Sequence, residues 1–339
     1  MSDSQMHASV GALFMPPDVD TARRFFANKS RVLTDKLVTV DQAVSRFVHD
    51  GDYLASGGFG MVRIATAVLH EIVRQRRKGL GLSGHTATHD FEILAAGRCF
   101  DRCDVAYVVG LEMRGLSPQA RRYMESGCVQ VTEWSNASLG WRYKAAAMGV
   151  PFLPIRSLLG TDTFKYSAAK EILCPFTGEK YAAVPALYPD VGIIHVHRAD
   201  IFGNAQIDGI SVADWDLARA SKRLIITTER LVETDEIRRA PERTQIPYWL
   251  VDAVCVVPYG SYPGNMPFEY YFDDAHLQEW FDAEKDEGSL ATFLDKYIYG
   301  TADFEEYLAL KGGEAHMRSL RALEPLHRGP EETWQPLTA

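Results

Sequence analysis

Gly51-Asp52-Tyr53-Leu54-Ala55-Ser56-Gly57-Gly58-Phe59-Gly60 is an alternating apolar run that stops abruptly on a glycine pair. With no Cβ in the way, such a strand end lets backbone N–H groups approach a ligand closely. Downstream, Ile64, Val68, Leu69, Ile72 and Val73 recur at helical spacing between Met61 and Arg77, so the unit reads strand, glycine turn, helix. Turns of this kind can hold an oxyanion or phosphate, or serve only as a tight turn.

The pattern repeats outward along the chain. Strand-like runs at 53–56, 81–84, 105–109, 129–132, 191–196, 224–228 and 253–258 are expected, with helices at about 62–76, 90–96, 121–126 and 139–148 between the earlier ones. Buried β-branched strands interleaved with helices imply an α/β fold with a mostly parallel sheet covered on both faces. The stretch 160–182 reads as a protruding excursion, and nothing marks a second domain. The expected organisation is an N-terminal extension over 1–33, a domain over 34–320 and a loosely held, Pro- and charge-rich tail over 321–339. The extension should pack on the body or on a partner after a disordered first dozen residues.

Composition narrows the function. Of the 339 residues 46% are hydrophobic and 24% charged, as in soluble globular proteins. A formal charge of -9 without a basic stripe argues against a nucleic-acid surface. The start, Met1-Ser2-Asp3-Ser4, does not open a signal peptide, and no apolar run approaches membrane-spanning length. The five scattered cysteines, Cys99, Cys103, Cys128, Cys174 and Cys255, suit a reducing, cytoplasmic setting. Cys99 and Cys103 lack a second ligand pair, and His195-Val196-His197 lacks a third ligand, so no metal site is expected.

Several further segments occur together in one order: Ala145-Ala146-Ala147-Met148-Gly149-Val150-Pro151-Phe152-Leu153-Pro154, Val191-Gly192-Ile193-Ile194-His195, Asp235-Glu236-Ile237-Arg238-Arg239-Ala240-Pro241, Val251-Asp252-Ala253-Val254 and Pro258-Tyr259-Gly260-Ser261-Tyr262-Pro263. With the glycine turn, they make the chain from Val38 to about Gly312 resemble the A (alpha) subunit of glutaconate CoA-transferase, a class I CoA-transferase. The resemblance implies the CoA-transferase (NagB/RpiA-like) fold and a partner B (beta) subunit, the two assembled as a heterodimer doubled to a heterotetramer. It also implies a coenzyme A thioester and an organic acid as substrates, and no bound cofactor. In such enzymes a glutamate of the B subunit, within Ser-Glu-Asn-Gly, carries the chemistry.

This chain lacks that motif. Thr132-Glu133-Trp134-Ser135-Asn136 has the wrong order, and Glu133 is expected to be structural. On the resemblance, Ser56, Gly57, Gly58 and Phe59 face the partner's cleft, with the N–H groups of Gly57 to Phe59 expected to bind a carboxylate or thioester oxygen. In the next strand-end loop, Gly84, His85, Thr86 and His89 stand where the glutaconate enzyme has small residues, so they are expected to help choose the acid. Surface His and Thr on an ordinary loop is the alternative. His195 is expected to brace the turn Asp200-Ile201-Phe202-Gly203-Asn204, of which Asp200, Gly203 and Asn204 are supporting candidates. Glu229, Gly260 and Tyr262 are further candidates at strand ends. Relatives of this family also act as CoA-thioester hydrolases or decarboxylases, and a purely structural role is a third reading; the residue that decides lies on the partner.

Overall fold

A computed structural model describes residues 9–108 and 115–328. In chain order the strands are β1 (Tyr53–Ser56), β2 (Leu80–His85), β3 (Phe100–Ala106), β4 (Gln130–Glu133), β5 (Phe152–Ile155), β6 (Lys170–Leu173), β7 (Lys180–Pro185), β8 (Val191–Ala199), β9 (Ala205–Gln206), β10 (Arg223–Leu231), β11 (Thr244–Ile246) and β12 (Ala253–Val256). The body is a parallel sheet in the order β4-β3-β2-β1-β8-β10-β12. Beside the end of β8, β9 and β11 add an antiparallel corner.

Alternation along the strands divides the interior in two. Leu54, Val191, Ile193 and Ile225 point into a core shared with helices Val40–Phe47, Thr66–Arg74 and His89–Ala96 and with the helices of residues 274–323. Tyr53, Ala55, Ile194, Val196, Leu224 and Ile226 point into the other core, against helices Asn136–Met148 and Asp214–Ala220. Successive side chains on opposite faces require this division once both faces are covered. The expected α/β fold with a mostly parallel, doubly covered sheet is the fold found.

Three details differ from the sequence reading. Residues 160–182 do not simply protrude: β6 and β7 pair antiparallel and β5 closes them into a second, three-stranded sheet. The strand expected to end at Val109 ends at Ala106, and residue 109 lies outside the described residues. The tail is not loose as far as residue 328, because Arg328 reaches Asp208 at 3.0 Å and Glu269 at 2.7 Å, and the Glu324 carboxylate accepts from Phe268 N–H. Residues 329–339 of the tail, like 1–8 of the extension, lie outside the described residues.

From residue 9 the extension lies on the body. Val10 N–H donates to the Lys165 carbonyl and Gly11 N–H to that of Ser167. Asp18 then caps helix Val19–Asn28, and Lys29 ends it against Asp252 at 2.6 Å and the carbonyls of Lys222 and Leu250. Among the described residues no helix is long and apolar enough to cross a membrane.

Candidate functional site

The carboxyl ends of β1, β2 and β3 share one edge of the sheet, where open α/β sheets place ligands. The turn after β1 is built for closeness. A Cβ on Gly57 would come within 2.8 Å of Ile194 Cγ1 and 2.9 Å of Asp214 Oδ1. Gly58 has φ +76°, and a Cβ there would fall 2.4 Å from the Val62 carbonyl oxygen.

The donors of this turn are spent internally. Gly57 N–H donates to the Ile193 carbonyl at 2.9 Å, Gly58 N–H to Asp214 Oδ1 at 2.8 Å, and Phe59 N–H to the Val62 carbonyl at 3.1 Å. Gly60 N–H donates to the Thr86 carbonyl. The expectation that the N–H groups of Gly57 to Phe59 receive a substrate oxygen is therefore corrected: a satisfied donor gains little by changing partner. The glycines let the loop fold onto β8 and onto the next loop.

An ion pair that sequence reading missed pins this turn. Arg63, wholly buried at φ +56°, meets Asp214 with two contacts, Nη2 to Oδ2 at 2.8 Å and Nη1 to Oδ1 at 3.3 Å. Burial alone would raise the Asp214 pKa, but the Arg63 charge and hydrogen bonds, with the Gly58 N–H, hold it below the usual carboxylate value. The signals available were one arginine inside Met61-Val62-Arg63-Ile64 and an acidic start to the run Asp214-Trp215-Asp216.

The loop after β2 sits against the first. Gly84 is hemmed in, since a Cβ would lie 3.0 Å from Ala87 Cβ and 3.3 Å from Asp90 Oδ2. Thr88 Oγ donates to the Gly60 carbonyl at 2.6 Å, joining the two loops. His85 and Thr86 stay partly open to solvent, with Thr86 Oγ 3.2 Å from His85 Nδ1. Partial burial lowers the His85 pKa, which favours the neutral imidazole, while the nearby Asp214 charge opposes the shift. The Ser56 hydroxyl is buried and faces the Asp90 carboxylate, which it stabilises as a donor. Burial still pushes that carboxyl up.

His89 turns the other way. It begins the helix His89–Ala96, is 3% exposed, packs edge-on against Trp280 at 4.9 Å, and sets Nδ1 3.3 Å from Glu92 Oε2. Burial pushes its pKa down to about 4. His89 lines a small recess with Met61, Thr88, Glu92 and Trp280 rather than the open edge.

The remaining candidates form buried supports. His195 Nε2 is 2.7 Å from Glu229 Oε1 and its Nδ1 is 2.8 Å from Thr227 Oγ, so it braces β10 and not the 200–204 turn. Glu229 also accepts from Tyr270 OH and Tyr259 N–H. Gly260 packs on the same imidazole, where a Cβ would lie 2.7 Å from His195 Cε1. Tyr262 OH donates to Asp273 at 2.6 Å beneath a stacked His276. The 200–204 turn holds itself: Asp200 accepts from Phe202 and Asn204 N–H groups, and Gly203 takes φ +95°. His197 has both nitrogens engaged, with Pro267 O and Asp208 N–H.

Glu133 ends β4, three strands from β1. Burial pushes the Cys99 thiol up to about 12 and raises that of Cys103 as well, so neither is a ready thiolate. Among the described residues no group of three or more His, Cys, Asp or Glu is placed to hold a metal. What the edge offers to solvent is Phe59, Gly60, His85 and Thr86, with Tyr107 half-exposed at the end of β3. Exposed apolar side chains occur in the segments that reach this turn: Ile210, Val212 and Trp215 in the segment of Asp214, and Trp141 next to Gly140, where a Cβ would lie 3.8 Å from His85.

Residues 37–256 match the family model described as Coenzyme A transferase. This chain belongs to the coenzyme A transferase family. It is 37% identical over 278 residues to the A subunit of the 3-oxoadipate CoA-transferase of Pseudomonas knackmussii, covering 81% of this chain and 97% of that one. It is 31% identical over 290 residues to the A subunit of the glutaconate CoA-transferase of Acidaminococcus fermentans, covering 80% and 91%. The crystal structure of glutaconate coenzyme A-transferase from that organism superposes with a TM-score of 0.82 over 88% of this chain and 99% of that chain, at 29% identity. An uncharacterized protein of Archaeoglobus fulgidus is 52% identical over 309 residues, 91% of this chain and 69% of its own length. Both named transferase chains are A subunits, as the resemblance implied.

Proposed function

We propose that the chain is the A subunit of a two-subunit class I CoA-transferase that moves CoA between an acyl-CoA and a carboxylic acid, dicarboxylic acids included. The B subunit supplies the nucleophilic glutamate, and the pair assembles as a heterotetramer. One observation carries this reading. The carboxylates of Asp90, Asp214 and Glu229 are each buried and hydrogen-bonded within the chain, the half-buried Glu133 ends β4 three strands away from β1, and the open groups beside the glycine turn are an imidazole, a hydroxyl and apolar surface. Covalent acyl transfer needs an accessible nucleophile, and this edge presents positioning groups instead.

On this reading the partner's carboxylate oxygen attacks the thioester carbonyl, and CoA leaves as a thiolate, giving a mixed anhydride. The thiolate then attacks the enzyme's own acyl carbon and expels the first acid as a carboxylate. A second acid reverses both steps and leaves with CoA. His85 and Thr86 supply hydrogen bonds to the acid or acyl oxygen. A pocket that hydrogen-bonds one substrate strongly rejects analogues lacking the matching atom. The test is intact mass after mixing the co-expressed complex with acyl-CoA. A CoA adduct should appear on the partner and none on this chain; an adduct on this chain refutes the assignment. No adduct, with steady release of free CoA, would make the enzyme a hydrolase.

A further inference from the structure

The amino ends of the strands carry a second cavity, much roomier than the recess beside His89. Its cavity volume is about 540 Å³. One wall is the extension: Ala22, Arg23, Phe26, Ala27, Lys29 and Arg31. These residues precede the stretch 37–256 that matches the family model, while the facing wall lies within it. The facing wall comes from the body and includes Tyr188, Arg219 and Trp249.

Its chemistry is unlike that of the rest of the chain. The protein carries a formal charge of -9, yet the groove is lined by Arg23, Lys29, Arg31 and Arg219 and by no Asp or Glu. Lys29 is consumed in holding the wall, through Asp252 and two carbonyls. Arg219 is exposed, with Nη1 on the Trp215 carbonyl at 2.8 Å, Nη2 3.5 Å from the Gln245 carbonyl and the Asp216 carboxylate close enough to feel its charge. Arg23 and Arg31 are exposed and form no ion pair among the described residues. Trp249 is 45% exposed and Phe26 lies on the opposite wall. The Tyr188 hydroxyl is buried in a residue 3% exposed and has no hydrogen-bond partner.

We propose that this groove binds a nucleotide, with its phosphates on Arg23, Arg31 and Arg219 and its base on Trp249 and Phe26. A simple anion would use the arginines and leave the aromatic surface idle. A nucleotide uses both, because guanidinium forks match phosphate oxygens and a flat ring stacks on an aromatic face. The nucleotide also gives the buried Tyr188 hydroxyl a hydrogen-bond partner. The site is separate from the carboxyl edge.

The experiment titrates ADP, adenosine and inorganic pyrophosphate into the purified two-subunit complex, by calorimetry and by tryptophan fluorescence. ADP should bind saturably and more tightly than adenosine or pyrophosphate, and quench fluorescence. Arg23→Ala and Arg31→Ala should each weaken ADP about tenfold or more, as loss of a charge-assisted hydrogen bond does. Trp249→Ala should weaken ADP, leave pyrophosphate unchanged and abolish the quench. Arg23→Lys and Arg31→Lys should restore part of the affinity, and unliganded melting temperatures equal to wild type establish that the variants fold. Absence of saturable ADP binding overturns the proposal. So does ADP binding that survives all three alanine substitutions, which would place the nucleotide at the CoA site.

Discussion

Asp214→Ala removes the post that holds the glycine turn. The Asp214 carboxylate accepts from Gly58 N–H at 2.8 Å and from Arg63 at 2.8 and 3.3 Å, and both charged side chains are fully buried. Removing one partner of a buried pair leaves an uncompensated charge, which costs about 3–5 kcal/mol, and an orphaned buried N–H adds about 1–3 kcal/mol. Because the two share one carboxylate they overlap, and about 4–6 kcal/mol is expected in total. An unfolding entropy of about 2.1 cal/mol/K per residue over 339 residues gives about 0.7 kcal/mol/K, hence a fall in melting temperature of about 6–9 °C. The assay is thermal unfolding of the co-purified complex followed by tryptophan fluorescence. Arg63→Met/Asp214→Leu should recover most of the loss, since an apolar replacement of a buried ion pair is near neutral. A single Asp214→Ala variant that melts within about 1 °C of wild type would refute the reasoning, because a change that small lies within what a surface substitution does.

Other outcomes follow from the same geometry. Gly58→Val should give a misfolded or insoluble chain rather than a folded inactive one, as its Cβ would sit 2.4 Å from the Val62 oxygen at φ +76°; normal expression and melting would contradict this. His85→Ala and Thr86→Ala should reorder a panel of acyl-CoA and acid substrates with little change in melting temperature, whereas His89→Ala should chiefly lower stability, by about 2–4 kcal/mol for an emptied aromatic contact; rankings unchanged from wild type in the His85 and Thr86 variants would make the loop ordinary surface. Burial, then the charge of neighbouring acids, pushes Glu92 up to about 8 and Glu284 up to about 9 from 4.5, so their stabilisation is complete below 4.5 and lost as pH rises through 8–9. Burial drives His89 and His276 down to about 4 from 6.5, so their contribution is present above 6.5 and lost as pH falls through 4. From these four groups the melting temperature should fall as pH rises from about 6.5 to 9 and change little between about 4.5 and 6.5, where the two pairs oppose each other, and Glu284→Gln should flatten the alkaline fall; an unchanged alkaline limb would remove the buried acids as its cause.

The parallel sheet was legible from its later strands, Val191–Ala199 and Arg223–Leu231, which are buried β-branched runs, and from the short apolar runs before them that alternate with helices. The side sheet was not, because β5 contains Pro154 and β7 is alanine-rich, and neither carries strand composition. At the site, the glycine turn and His85 could be read from position alone. Whether the turn's N–H groups are free could not, since their acceptors, Ile193 and Asp214, lie more than a hundred residues downstream. The direction of His89 depended on Trp280, contributed by the helix Asp274–Ala283 from the far end of the chain. The basic groove was hidden for the same reason: Arg23, Arg219 and Trp249 meet only after the extension folds back.

The central claim is that this chain completes a site whose nucleophile belongs to another. Its most direct test measures CoA transfer and native mass for the two chains, each alone and then recombined. The account predicts no transfer from either chain alone, and full activity with a mass of two copies of each on mixing. A monodisperse preparation of this chain alone that transfers CoA at the rate of the mixture would contradict it.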